Sequence, residues 1–163
     1  DLHSFPTRRS SDLVVELTHV PPSHIAELTA ESRRLGAQIV VVHGETPVEP
    51  VAPGTNRAAL EAGVDLLAHP GFITLDEARL AAERGVLLEL SSRGGHSLTN
   101  GHVAKMARAA GALLSVDSDA HDPEDFLSAA MAERVALGAG LSLEEYQQVR
   151  ENMRAVAARV AAI

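Results

Sequence analysis

Cysteine is absent from this 163-residue chain. Neither a disulfide framework nor a thiolate zinc site is therefore available, and any metal must be held by His, Asp and Glu. Long hydrophobic runs are missing too: the longest apolar stretches are about five or six residues, far short of the roughly twenty needed to cross a bilayer. No signal-peptide pattern of a basic start and an apolar centre is seen, so a cytoplasmic location without a membrane partner is expected. Positive charge is in deficit. Fourteen Lys and Arg against 22 Asp and Glu give a net charge of −8, which argues against non-specific attraction to a polyanion, and nucleic acid is not expected as a partner. No glycine-rich loop of the GxGxxG or Walker type comes after any apolar run, which weakens a nucleotide-binding reading.

What is present is an apolar content of 45% and eight histidines. The length suits one domain with one sizeable core. Short β-branched or leucine-rich runs alternate with helical stretches, the pattern of βα units on a parallel sheet. The runs are Val14 to Leu17, Ile39 to His43, Asp65 to His69, Val86 to Leu90 and Leu113 to Asp117. Thr74 with Glu77 and Ser142 with Glu145 read as capping boxes, Gly85 stands where a helix should end, and Asp122-Pro123 is a helix-start pair. From Leu143 to Ile163, Tyr146, Val149, Met153, Val156 and Val160 recur at helical spacing, as in a helix packed on the sheet.

Residues 3–13, HSFPTRRSSDL, differ abruptly from the alanine- and valine-rich chain after them. They resemble one translated frame of a common sequencing adapter, so residues 1–13 are read as a non-native segment and 14–163 as the C-terminal part of a single domain. On that expectation the natural N-terminal part lies upstream of Val14.

Chemistry collects at the ends of the expected strands. His43 ends VVVHG, His69 ends LLAHPG, and Asp119 and His121 lie at the end of LLSVDSDAH. Strand ends in a parallel barrel share one face, where residues distant in sequence converge. A single strand-end histidine is more often a hydrogen-bonded structural residue than a ligand, but recurrence at equivalent places favours a common site. Imidazole and carboxylate ligands without thiolate suit zinc, manganese or iron. The stretch Ser91 to His102, SSRGGHSLTNGH, places Arg93 and His96 where a substrate would approach, and Arg93 suits bidentate pairing with phosphate. Asn100 and His102 read as structural residues of the next helix, and His19 and His24 as loop or helix-start residues. Glu45 and Glu89 are further carboxylates near the same face, with support of a ligand and plain solvation both open, and Asp117 reads either as a helper to Asp119 or as a capped turn residue.

Val15-Glu16, His43-Gly44-Glu45, Ala68-His69-Pro70 and Ser118-Asp119-Ala120-His121 together resemble the later motifs of the PHP (polymerase and histidinol phosphatase) family. The resemblance implies an incomplete, distorted seven-stranded (β/α) barrel of TIM-like type. It also implies a metal shell in which Glu16 bridges ions and His43, His69, Asp119 and His121 ligate them, two or three divalent ions being held in a complete protein. The implied activity is hydrolysis of a small phosphomonoester, as in a histidinol phosphatase, with Arg93 and His96 meeting the substrate. A phosphodiesterase or nuclease and a non-catalytic metal-binding remnant are the alternatives. The family's opening HxH motif is missing, so the activity of the chain as it stands is left open, as is its oligomeric state. An unfinished barrel also exposes sheet edges, and self-association is expected.

Overall fold

Apolar runs interrupted by capped, amphipathic stretches build a regular βα succession. A computed structural model describes residues 14–161; the adapter-like segment lies outside the described residues. Its strands are β1 (Val14–Leu17), β2 (Ile39–His43), β3 (Leu66–Ala68), β4 (Leu87–Ser91) and β5 (Leu114–Asp117). The helices are α1 (Pro22–Arg34), α2 (Thr55–Ala62), α3 (Leu75–Arg84), α4 (Asn100–Ala110), α5 (Ala129–Gly138) and α6 (Leu143–Ala161), with one-turn 3-10 helices at His96–Thr99 and Pro123–Asp125. β1 and β2 fall where the sequence places them. β3 is shorter than expected because its flanking residues do other work. The Asp65 carboxylate accepts from Val40 N at 2.8 Å and from Arg33 at 2.9 Å, and His69 leaves the extended region with φ at +30°.

The sheet is wholly parallel with strand order β1-β2-β3-β4-β5. The expected barrel, even an incomplete one, is corrected by this topology: among the described residues β1 and β5 are opposite edges of an open sheet and do not pair. Alternation of strands and helices dictates parallel neighbours but carries no information on strand tilt or stagger, which decide closure.

Side chains alternate between the two faces of each strand. Val40, Val42, Leu67, Leu88, Leu90 and Val116 join Ile25 of α1, Leu60 of α2, Ala78 and Ala81 of α3 and Val103 and Ala107 of α4 in one buried core. Burying each large aliphatic side chain there contributes about 1.5–3 kcal/mol. The other face has two halves. Towards the strand starts, Ile39, Val41, Leu66 and Leu87 line a cavity together with Met153, Val156 and Ala157 of α6. Arg159 of α6 reaches Asp65 at 2.6 Å. Towards the strand ends the same face becomes polar, and the candidate site forms there.

The anticipated caps are present. Thr74 Oγ1 accepts from Glu77 N while the Glu77 carboxylate accepts from Thr74 N at 2.8 Å, and Ser142 and Glu145 exchange the same bonds. Thr74→Ala should lower stability by about 1 kcal/mol, seen as a lower urea midpoint at unchanged slope; an unchanged midpoint would deny the box any role. Among the described residues no helix is long and apolar enough to cross a membrane.

Candidate metal centre

The register places Glu16 beside Val41, His43 beside Ala68, Glu89 beside Ser115 and Ser91 beside Asp117. With alternation, Glu16, His43, Glu89 and Asp117 all fall on the face that α1 to α4 leave uncovered. His69 comes directly after Ala68 and by alternation would turn towards the helices. Its φ of +30° breaks the alternation, and its ring lies edge-on to His43 with centroids 4.4 Å apart. Asp119 also has a left-handed backbone, at φ +48°. Such conformations in non-glycine residues cost of order 1–3 kcal/mol and cluster at functional sites.

His69 is the hub. Its Nε2 is 2.9 Å from His43 Nδ1, its Nδ1 is 2.9 Å from Glu89 Oε2, and its ring stacks on His96 with centroids 4.1 Å apart. His43 Nδ1 also faces Glu16 Oε1 at 3.9 Å, while His43 Nε2 donates to the Glu49 carbonyl at 3.2 Å. His96 Nε2 faces Asp119 Oδ2 at 3.5 Å, and its Nδ1 meets Thr46 Oγ1 at 2.7 Å. Two sets of donor atoms, each within 4.8 Å of one another, result: Glu16 with His43 and His69, and His69 with His96 and Asp119. All five groups are imidazole or carboxylate, a donor chemistry that fits zinc, manganese or iron and is poor for soft ions that prefer thiolate.

Burial and mutual charge tune these groups. Desolvation raises the Glu16 pKa, and it lowers those of His43 and His96, with the nearby His69 adding to both histidine shifts. Desolvation pushes His69 down as well, but the hydrogen bond and charge of Glu89, helped by Asp119 and Glu16, outweigh it and leave the pKa raised. Asp117, half-buried near Glu89, is pushed up to about 6 by desolvation and by the Glu89 charge despite a hydrogen bond from Ser115.

The other sequence candidates sort themselves by contact. Arg93 donates through Nη1 to Asp119 O at 2.8 Å and sets its Nε 3.3 Å from Asp119 Oδ2. Arg93 therefore braces a member of the site. His121, with 61% of its side chain exposed, receives Arg93 Nη1 at 2.7 Å and belongs to neither donor set. His96, read from sequence as a substrate contact, lies within one of the two donor sets. Glu45 accepts from Gly54 N and Asn56 N at the start of α2, so its carboxylate serves the helix end. Asn100 clamps Ser91 through both its N–H and its C=O, and His102 Nε2 is 2.7 Å from Ile73 O, as their structural readings require. Thr46 and Glu49 escaped sequence reasoning. Nothing in the loop GETPVEP marks a residue that holds a histidine ring six positions away, as Glu49 does, or fifty, as Thr46 does.

No family model matches the chain. An uncharacterized protein of Methanocaldococcus jannaschii, MJ1295, is 47% identical over 134 residues, which is 82% of this chain and 62% of that protein. The chain thus spans less than two thirds of the curated relative it matches. Among solved structures it resembles a chain in the cryo-EM structure of archaeal ribonuclease P with mature tRNA, with a TM-score of 0.69, 19% identity, and coverage of 88% of this chain and 66% of that one. At that identity the likeness is one of fold.

These findings correct the expectations drawn from the short motifs. With no family match and a structural neighbour from a ribonuclease P complex, membership of the PHP family is not supported. The histidinol-phosphatase-like hydrolysis of a phosphomonoester loses its basis with it. The expectation that nucleic acid is not a partner is not supported either, since the neighbour in fold is a chain of an assembly with tRNA. Net charge reports the average field of the chain and does not decide local or cation-mediated contacts.

Proposed function

We propose that this chain binds a divalent transition-metal ion at the ends of its strands and that the protein associates with RNA. The metal reading is carried by one observation: two three-residue sets of imidazole and carboxylate donors share His69. Glu16, His43 and His69 would hold one ion, and His69, His96 and Asp119 a second, with zinc, manganese or iron as the candidates. A bound cation would supply positive charge and an open position for a phosphate oxygen. Arg93 orients Asp119, and the Glu49 carbonyl orients His43. The association with RNA is supported by the likeness to the ribonuclease P chain. Residues 14–163 are taken as part of a single domain, and a cytoplasmic setting agrees with a chain that has no cysteine.

The two parts of this reading are coupled by charge. Glu16, Glu89, Asp117 and Asp119 share one polar face in a chain of net charge −8, so bare side chains there repel a polyanion. RNA approaching this face needs the cation. Mobility-shift titrations with tRNA should therefore give a complex with Mn²⁺ or Zn²⁺ present and none after EDTA treatment. Equal binding in both conditions would place the RNA elsewhere on the protein, and no binding in either would remove the RNA association. Metal content by mass spectrometry after dialysis tests the metal reading separately: stoichiometric retention supports it, and background levels sink it.

A further inference from the structure

We infer that Glu89 is a positioning residue that locks His69 in the tautomer whose Nε2 lone pair faces the other donors, so that the centre is aimed before any cation arrives. The inference rests on the metal-binding reading above for its purpose, but the geometry that carries it is independent of that reading.

Glu89 lies mid-way along β4, between the fully buried Leu88 and Leu90, and is itself only 2% exposed. A carboxylate so deeply buried needs compensation. Among the described residues no Lys or Arg pairs with it; its partner is His69. One oxygen, Oε2, accepts from His69 twice: from the backbone N–H at 2.6 Å and from ring Nδ1 at 2.9 Å. An ionised carboxylate only accepts, so the Nδ1 position carries the proton. In the neutral ring the lone pair is then on Nε2.

The facing histidine is fixed by the same logic. His43 Nε2 lies 3.2 Å from the Glu49 carbonyl oxygen, which also only accepts. That nitrogen carries the proton, and the His43 lone pair sits on Nδ1. The two unprotonated nitrogens point at one another across 2.9 Å. Two neutral rings in these tautomers have no hydrogen to share and repel. A positive species is what satisfies both, and Glu16 Oε1, 3.9 Å from His43 Nδ1, adds a negative neighbour. The two hydrogen bonds that Glu89 accepts from His69, one from the main chain and one from the ring, also steady the φ of +30° that swings the ring to this side of the sheet. One buried carboxylate thus sets both where His69 stands and which nitrogen it offers, the carboxylate-to-histidine arrangement that orients metal ligands.

The test starts with metal-free wild-type protein. Long-range ¹H–¹⁵N spectra of the histidine rings, recorded above the range in which His69 titrates, should show His69 as the Nδ1–H tautomer. An Nε2–H tautomer for His69 would overturn the inference, and this reading needs no variant that must fold. Glu89→Ala should release the ring to the Nε2–H form and weaken Zn²⁺ binding by about 10- to 100-fold. Glu89→Gln keeps an acceptor oxygen and should hold the Nδ1–H form with a smaller loss of affinity. An unchanged His69 tautomer in Glu89→Ala would also overturn the inference. If wild-type His69 shows the Nδ1–H form and yet no metal binds, the metal-binding reading fails while the positioning by Glu89 stands.

Discussion

His69→Ala should reduce retained divalent metal to background and weaken binding in titrations by more than about 100-fold, beyond the 10- to 100-fold expected when only an outer partner of a ligand is lost. The reason is topological. His69 is the one residue common to both donor sets, so its removal leaves Glu16 with His43 on one side and His96 with Asp119 on the other. His43→Ala should cost less, because the set formed by His69, His96 and Asp119 survives it. His121→Ala serves as the contrast: its ring is 61% exposed and outside both sets, so metal content should stay close to that of the unsubstituted protein. Equal metal retention by His69→Ala and His121→Ala would remove the site from the strand ends altogether. The wild-type affinity should also rise with pH. The carboxylates around His69 hold its pKa above the ordinary imidazole value. A proton therefore competes with the cation at this ring to a higher pH than at an exposed histidine, and metal uptake should release it.

The strands were legible because each is a run of apolar residues bounded by glycine or a cap, and the two boxes at Thr74 and Ser142 marked helix starts to the residue. The site was legible in part for a simple reason: a parallel sheet delivers all its strand ends to one edge, so His43, His69 and Asp119 come to the same end of the sheet. Other features depend on information that local pattern lacks. That His69 joins His43 rests on a single φ of +30°, which no spacing rule foretells. Glu89 was legible as a carboxylate near the site, with support of a ligand and plain solvation both open; its pairing with His69 depends on the backbone turn after β3. His121, two residues from Asp119, would share its direction in an extended chain, but the left-handed backbone at Asp119 and the pull of Arg93 turn it outward. Closure of the sheet and the family assignment were misjudged on the same ground. Tripeptide and tetrapeptide motifs such as HGE and SDAH report strand-end chemistry, and that chemistry recurs on related α/β sheets whose overall closure and role differ.

Gly71→Ala should be the most disruptive small substitution in the described chain. Gly71 has φ at +62°, and a Cβ there would stand 1.9 Å from Glu45 O and 2.7 Å from Glu45 C. Those are backbone atoms, which cannot swing aside as a side chain can. The loop after β3 is pressed on the loop after β2 at this point. Gly44 makes the reciprocal approach from the β2 loop, where a Cβ would meet Ala68 O at 2.4 Å and Pro70 Cα at 2.8 Å. The two loops are further laced by Gly44 N donating to Ala68 O and Asn56 Nδ2 donating to Pro70 O. An added methyl group must therefore part the segments that carry His43 and His69. Left-handed strain and overpacking each cost about 1–3 kcal/mol, so Gly71→Ala should lose several kcal/mol, against the roughly 1 kcal/mol of Thr74→Ala. Urea unfolding of the two variants side by side would show it, with a matching midpoint refuting the close approach. Because the loops hold the imidazoles at their separation, any folded Gly71→Ala protein should also bind metal more weakly than Thr74→Ala, whose cap lies on a helix that contributes no donor. The glycines beside the histidines are in this sense part of the site: they contribute no ligand atom, yet they set the distance between the two that do.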